Sequence, residues 1–215
     1  MDTALLIMGI PYLPLALLVP ASVRWYRTLS PAFKAIAWFV WFNALTQIIA
    51  QVFHYFSMNN LPVLHIYTPV GFAALALFYH VVLRGYIPRY LMALIAVLFA
   101  GMCIVVSARY QPLTKFNSIA LTVQGVLLCI FSLATYALLL NQTVRQEKRT
   151  LLSALSWTNS GIFLYFASSL LLFHFGDLLI TLNQSDFRIS WIFHSFVSTI
   201  LYTSLLVGLW KHPRS

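Results

Sequence analysis

Charge is what this sequence has least of. Only 8% of its 215 residues are Asp, Glu, Lys or Arg, against about a quarter in a soluble domain, and 61% are hydrophobic; this excludes a water-soluble fold. Acidic residues are the scarcest of all. The four are Asp2, Glu147, Asp177 and Asp186, and none falls inside a long apolar run. Proton-coupled pumps rely on intramembrane carboxylates, and a membrane hydrolase wants one as a base or metal ligand, so both classes lose their usual machinery. Asp177 and Asp186 would serve only if their connection folded back over the bundle mouth. Cysteine is also rare. Cys103 and Cys129 lie within apolar runs with no CxxC, which reads as packing thiols and no disulfide. The Ser-centred elbow motif is missing, as are HxxxH and HExxH pairs that would place two metal ligands on one helix. A retinal Schiff base is excluded because the last span has no lysine before Lys211, at its inner end. The balance of these absences points away from an enzyme.

What the chain does have is seven apolar stretches, each near the ~20 residues that cross a bilayer. They lie at 4–23, 34–57, 61–84, 89–108, 117–140, 151–175 and 189–211, joined by short connections. The expected fold is therefore all-α: one seven-helix transmembrane domain over 1–215, with the lipid bilayer as its first partner. The N-terminus, MDTALLIMG, has no basic stretch or small-residue cleavage site and reads as a retained first helix.

The 13 basic residues sit in the gaps between apolar runs and form no basic face, so nucleic-acid binding is not expected. They mark Arg24, Arg27 and Lys34 in the first connection, Arg84 and Arg89 in the third, Arg145, Lys148 and Arg149 in the fifth, and Lys211 and Arg214 in the tail. The second connection, SMNN, carries no charge. Arg109 and Lys115 in the fourth run against the trend. The positive-inside rule then puts the N-terminus outside and the C-terminus in the cytoplasm. Trp25, Tyr26, Trp38, Tyr86, Tyr90, Trp157 and Trp210 fall near the inner boundaries, where interfacial aromatics anchor a bundle. Asn141-Gln142-Thr143 matches a glycosylation acceptor but falls on the expected cytoplasmic side, a coincidence of sequence.

Polar residues within the spans are few and patterned. Asn43, Gln47 and Gln51 recur every fourth residue and share one face of the second helix, which His54 continues. His65 and Tyr67 open the third helix. Ser190, His194, Ser198 and Tyr202 form an i, i+4 stripe on the seventh, Asn159 and Ser160 lie on the face of the sixth that ends at His174, and Asn117, Gln124 and Thr135 make a weaker stripe on the fifth. Amides in hydrocarbon are unfavourable unless they face a packed interior, a cavity or water. The expected site is an outward-opening pocket of Asn43, Gln47, Gln51, His54, His65, Tyr67, Asn159, His174, His194, Ser198 and Tyr202. His54, His65, His174 and His194 are candidate ligands for zinc or haem, or a pH-sensing group. The first helix, with Pro11, Pro14 and Pro20, is expected at the edge, and the apolar fourth as a linker or lipid-facing span.

Two halves of the chain share a pattern. Trp41-Phe42-Asn43 and Phe53-His54-Tyr55 in the second helix match Trp157-Thr158-Asn159 and Phe173-His174-Phe175 in the sixth, each followed by a helix with an early histidine. The pattern implies two parallel three-helix units joined by the fourth helix, a 3+1+3 plan; chance similarity of apolar helices is the alternative. Small sugar facilitators use such repeats, although the Pro-Gln signature of that class is missing. Four functions fit. The first is a receptor-like or sensor-like bundle that binds a small molecule and signals through a membrane or cytoplasmic partner. The others are a passive facilitator of a small neutral solute, a metal- or haem-dependent enzyme acting on lipid, and an accessory subunit of a larger complex. With seven short-looped helices and LHIYTP on the third, the chain resembles uncharacterised seven-helix proteins of the bacterial inner membrane. The resemblance implies that location and assigns no residue a role.

Overall fold

Every apolar run becomes a helix, because a backbone in lipid must satisfy its own hydrogen bonds. The computed structural model describes residues 9–144, 149–175 and 184–213, and the side chains of 142–144 and 184–188 also lie outside the description. Asp177 and the side chain of Asp186, and with them the fold-back of their connection, fall outside it, as does the start of the first expected span. The described residues form seven α-helices: α1 Tyr12–Trp25, α2 Pro31–Tyr55, α3 Leu61–Val82, α4 Arg89–Arg109, α5 Ser118–Val144, α6 Arg149–His174 and α7 Gln184–Lys211. Five of them, α2, α3, α4, α5 and α7, are long and apolar enough to cross a membrane. The described part of α1 has only 14 residues. The 26-residue α6 is long enough, but Ser153, Ser156, Thr158, Asn159 and Ser160 lower its hydropathy. Large apolar side chains point outward along the bundle, among them Leu17, Ile48, Leu77, Val97, Ile104 and Leu171. That surface fits the membrane protein expected from composition. Trp38, Tyr86, Tyr90, Trp157 and Trp210 are exposed as well.

The helix termini follow local chemistry. Pro31 and Pro62 open α2 and α3, where their missing N–H groups have no helical partner. Helix α2 closes through Met58 N–H donating to the Phe53 carbonyl and Ser57 N–H to that of His54. Ser57, at φ 54°, takes the left-handed position that usually falls to glycine. Gly85 (φ 95°) turns the chain between α3 and α4. The fourth connection is pinned by Gln111, whose side chain reaches the Ser118 hydroxyl and the Ile119 N–H. Asn59 Nδ2 ties the α2–α3 turn to the Thr114 carbonyl. At the opposite, basic end, Ser30 bonds to His212 Nε2 and Lys211 reaches Ser153.

Helix packing traces a closed ring. α1 lies on α2 and α7, α2 on α3, α3 on α5, α5 on α6, and α6 on α7. α4 stays outside, over α3 and α5, burying only the stripe Met92, Phe99, Cys103 and Val106. It is a lipid-facing span, as its composition implies. Helix α1 completes the ring while leaving Leu13, Leu17 and Val23 exposed, and Trp41 donates to its buried Ser22 at 2.7 Å. Both cysteines are free thiols.

The tightest seam is α6 against α7. A Cβ on Gly161 would lie 2.6 Å from Ser204 Cβ, and one on Gly208 would run into the Thr158 hydroxyl and approach the Ala154 carbonyl oxygen at 3.0 Å. Small residues at such crossings let backbones approach closely where no hydrophobic force distinguishes protein from lipid.

Candidate functional site

Asn43 is the centre of the polar interior. Its position midway along α2, facing inward at 3% exposure, leaves its amide only side chains as partners. Asn43 Nδ2 donates to the Tyr67 hydroxyl of α3 (3.0 Å), and Tyr202 of α7 donates to Asn43 Oδ1 (3.0 Å). On α7, Ser198 donates to the His194 carbonyl (2.7 Å), and His194 Nε2 faces the Tyr165 hydroxyl of α6. An uncharged hydrogen-bonded cluster centred on Asn43 therefore joins α2, α3 and α7, a separate contact ties α6 to α7, and Phe42, stacked on Tyr67 with ring centroids 6.1 Å apart, adds an apolar wall.

A second network lies across the ring. Tyr79 of α3 places its hydroxyl 2.6 Å from Ser132 Oγ of α5 and donates to Asn159 Oδ1 of α6 at 3.1 Å. Asn159 Nδ2 donates to the Ser132 carbonyl, and all three residues are fully buried. The two asparagines sit at similar depth, 12 residues from the start of α2 and 10 from the start of α6. These two networks lock the middle of the bundle.

On the side away from the basic end, buried polar atoms go unpartnered. They include Ser169 Oγ, both amide atoms of Gln124, Asn117 Oδ1 and His194 Nδ1. His194 Nε2 stands 3.5 Å from the Tyr165 hydroxyl, and its ring is enclosed by Tyr165, Phe173 and Trp191. A dry interior leaves such groups unpaired only at a cost, so polar clusters of this kind normally hold water or a ligand.

The expected pocket residues thus divide. Asn43, Tyr67 and Tyr202 bond to one another, Ser198 and His194 meet beside Tyr165, and Gln47 is half-buried one turn from Asn43, whereas Asn159 belongs to the second network. Gln51 does not stay on the inner face: it is exposed and donates to Tyr12 of α1 at 2.7 Å, because its helical face has rotated toward α1 at that height. His54 and His174 are exposed at the helix ends. His65 is buried but fully committed. A carbonyl can only accept, so Nε2–H donates to the Lys115 carbonyl (3.0 Å), and Nδ1 accepts from Ser107 (2.8 Å). It brackets α3, α4 and the fourth connection, with no lone pair left for a metal. Among the described residues no three His, Cys, Asp or Glu side chains gather as a metal site would require. Sequence reasoning missed Tyr165, Tyr79, Ser132 and Ser169. Lone tyrosines and serines in an apolar helix give no periodic signal, although Ser169 does fall in the buried stripe that contains Asn159.

Comparison with protein-family models, curated proteins and solved structures returns no match for this chain. Its function therefore has to be argued from its own residues.

Proposed function

We propose that the chain spans the bacterial inner membrane seven times, N-terminus outside, and binds a small uncharged solute as a receptor-like or sensor-like bundle. The chamber is the space bounded by Asn43, Gln47, Tyr67, Tyr165, His194, Ser198 and Tyr202. The observation that carries this reading is the Asn43 cluster, which joins three helices without one charged group, together with the Tyr165–His194 contact that ties α6 to α7. Hydroxyls and amides recognise neutral hydrogen-bonding molecules, whereas an ion would call for compensating charge. Output passes to a membrane or cytoplasmic partner, since the short connections leave no room for a signalling domain.

Ring closure favours a second reading, a passive facilitator on a 3+1+3 plan. Exchanging α1, α2 and α3 with α5, α6 and α7 maps every neighbour pair of the ring onto another, and leaves α4 outside. The same exchange maps the Tyr202→Asn43 bond, from the third helix of one unit to the second of the other, onto Tyr79→Asn159. A substrate site at the interface of two parallel units fits such a plan.

The test is thermal unfolding of the purified protein in lipid nanodiscs against polyols, sugars and small amides. At least one should raise the midpoint of the wild type, and Tyr202→Phe should reduce that shift. If no solute moves the wild-type midpoint, the chamber reading is wrong. Uptake of the binding solute into proteoliposomes then separates facilitator from receptor. Impermeant maleimide, applied from the periplasmic side after Cys103 and Cys129 are replaced by alanine, should label Asn59→Cys and spare Tyr86→Cys.

A further inference from the structure

We infer that Gln124 anchors an enclosed subsite at the α3/α5/α6 seam, which takes a neutral group presenting a hydrogen-bond donor and acceptor side by side, as a carboxamide does. This deepens the chamber reading above and rests on it. Gln124 is 0% exposed, yet neither its Oε1 nor its Nε2 has a hydrogen-bond partner. Its place is fixed from both sides. On α5 it shares an inward stripe with Leu128, Phe131 and Thr135, beside Ser132, which binds Tyr79 of α3 and Asn159 of α6. On α6, Asn159, Ile162, Phe166, Ser169 and Phe173 form the matching buried stripe.

Gln124 lies eight residues from Ser132, and Ser169 ten from Asn159, which is about 12 and 15 Å along antiparallel helices at 1.5 Å per residue. The two therefore stand at nearly one height. The close approach of Gly125 to Leu170 and to the Phe166 carbonyl sets the same register independently. Ser169 is also fully buried with its hydroxyl unpartnered. Two turns further out, just before α5 begins, Asn117 donates to Thr68 at 3.3 Å but leaves its own Oδ1 unpartnered. Phe72 and Leu75 of α3 and Phe166 of α6 are buried apolar residues that fall between the Asn117–Thr68 and Tyr79–Ser132 contacts in height. A primary amide in such a wall offers N–H beside C=O, and its natural complement is another group with acceptor beside donor. An ion is disfavoured because none of these side chains carries charge.

The proposal is tested on the full chain in nanodiscs with acetamide as probe and N,N-dimethylacetamide, which lacks the donor, as control. Acetamide should raise the unfolding midpoint of the wild type and the dimethyl analogue should not. Gln124→Met keeps the length and removes both polar atoms; it should weaken acetamide about tenfold, the loss expected for one good hydrogen-bonded pair. Ser169→Ala, a change small enough to fold, should weaken it in the same direction. If Gln124→Met is stabler than wild type and responds to acetamide unchanged, the amide is an orphan and the subsite falls. No acetamide response in the wild type would overturn it too. Loss of response in Tyr202→Phe alone, with Gln124→Met responding normally, keeps the chamber and rejects the subsite.

Discussion

Removing one hydroxyl should loosen the whole bundle. Tyr79→Phe keeps the ring that packs on Phe78 and Phe131 and deletes only the oxygen shared by Ser132 and Asn159. Asn159 Oδ1 is then left with no donor at 0% exposure. Side-chain hydrogen bonds between membrane helices average about 0.6 kcal/mol and reach about 1.7. A buried acceptor stranded without a partner costs about 1–3 kcal/mol. Because Ser132 can turn its hydroxyl elsewhere, the loss should fall at about 1–2 kcal/mol. Deleting both partners removes the stranded acceptor, so the double variant Tyr79→Phe, Asn159→Leu should cost less than the sum of the singles.

The assay is reversible unfolding in mixed micelles titrated with a denaturing detergent, read as a double-mutant cycle. The expected coupling is about 0.6–1.7 kcal/mol. The counterpart cycle, Tyr202→Phe with Asn43→Leu, should give a value of similar size if the two bonds are equivalent halves of one design. Independent sites add to within about 0.3–0.5 kcal/mol, so a Tyr79–Asn159 coupling below about 0.3 would mean that the crossing does not form.

Glycine gives a paired test of the α6/α7 seam. Gly208→Ala gains about 1 kcal/mol of helix propensity but forces a methyl against Thr158 and Ala154, an overpacking of about 1–3 kcal/mol, so it should destabilise. Gly101→Ala in α4 meets nothing within 4 Å and should stabilise by about 0.5–1 kcal/mol in the same unfolding assay. His65→Leu should lose about 1–3 kcal/mol by stranding the Lys115 carbonyl and Ser107, while solute-induced shifts stay as in wild type; an altered solute response would return His65 to the site. Ser57→Gly should raise stability by about 0.5–1 kcal/mol by relieving the left-handed backbone at the end of α2, and an unchanged midpoint would show that the strain is absorbed locally.

Helix positions were legible because lipid leaves the backbone one option. The expected spans 61–84 and 89–108 meet Leu61–Val82 and Arg89–Arg109 within two residues. The amide at Asn43 was legible for a related reason: a carboxamide in an apolar helix must turn inward. That argument fails for Gln51, since near a helix end its side chain can reach a neighbour such as Tyr12 at the surface. It fails for the histidines too. Four rings near one end of the bundle look like a site in one dimension, yet His65 is consumed by a serine and a carbonyl that no periodicity reveals. Composition is also silent about Ser22 of the first helix, whose partner Trp41 lies on another helix.

The sequence pattern that suggested two units meets the fold unevenly. The tryptophans of the shared Trp-x-Asn pattern behave differently, Trp41 bonded to Ser22 and Trp157 exposed. The asparagines behave alike, each buried at mid-helix with its Oδ1 accepting from a tyrosine on the third helix of the opposite unit. Tyr79 and Tyr202 occupy different registers on their helices, so an alignment of the two halves would not pair them. A two-fold relation constrains where a hydrogen bond must cross the interface, not which residue number supplies it. Were the two units so related, Asn43 and Asn159 would hold equivalent places, each accepting from a tyrosine of the other half.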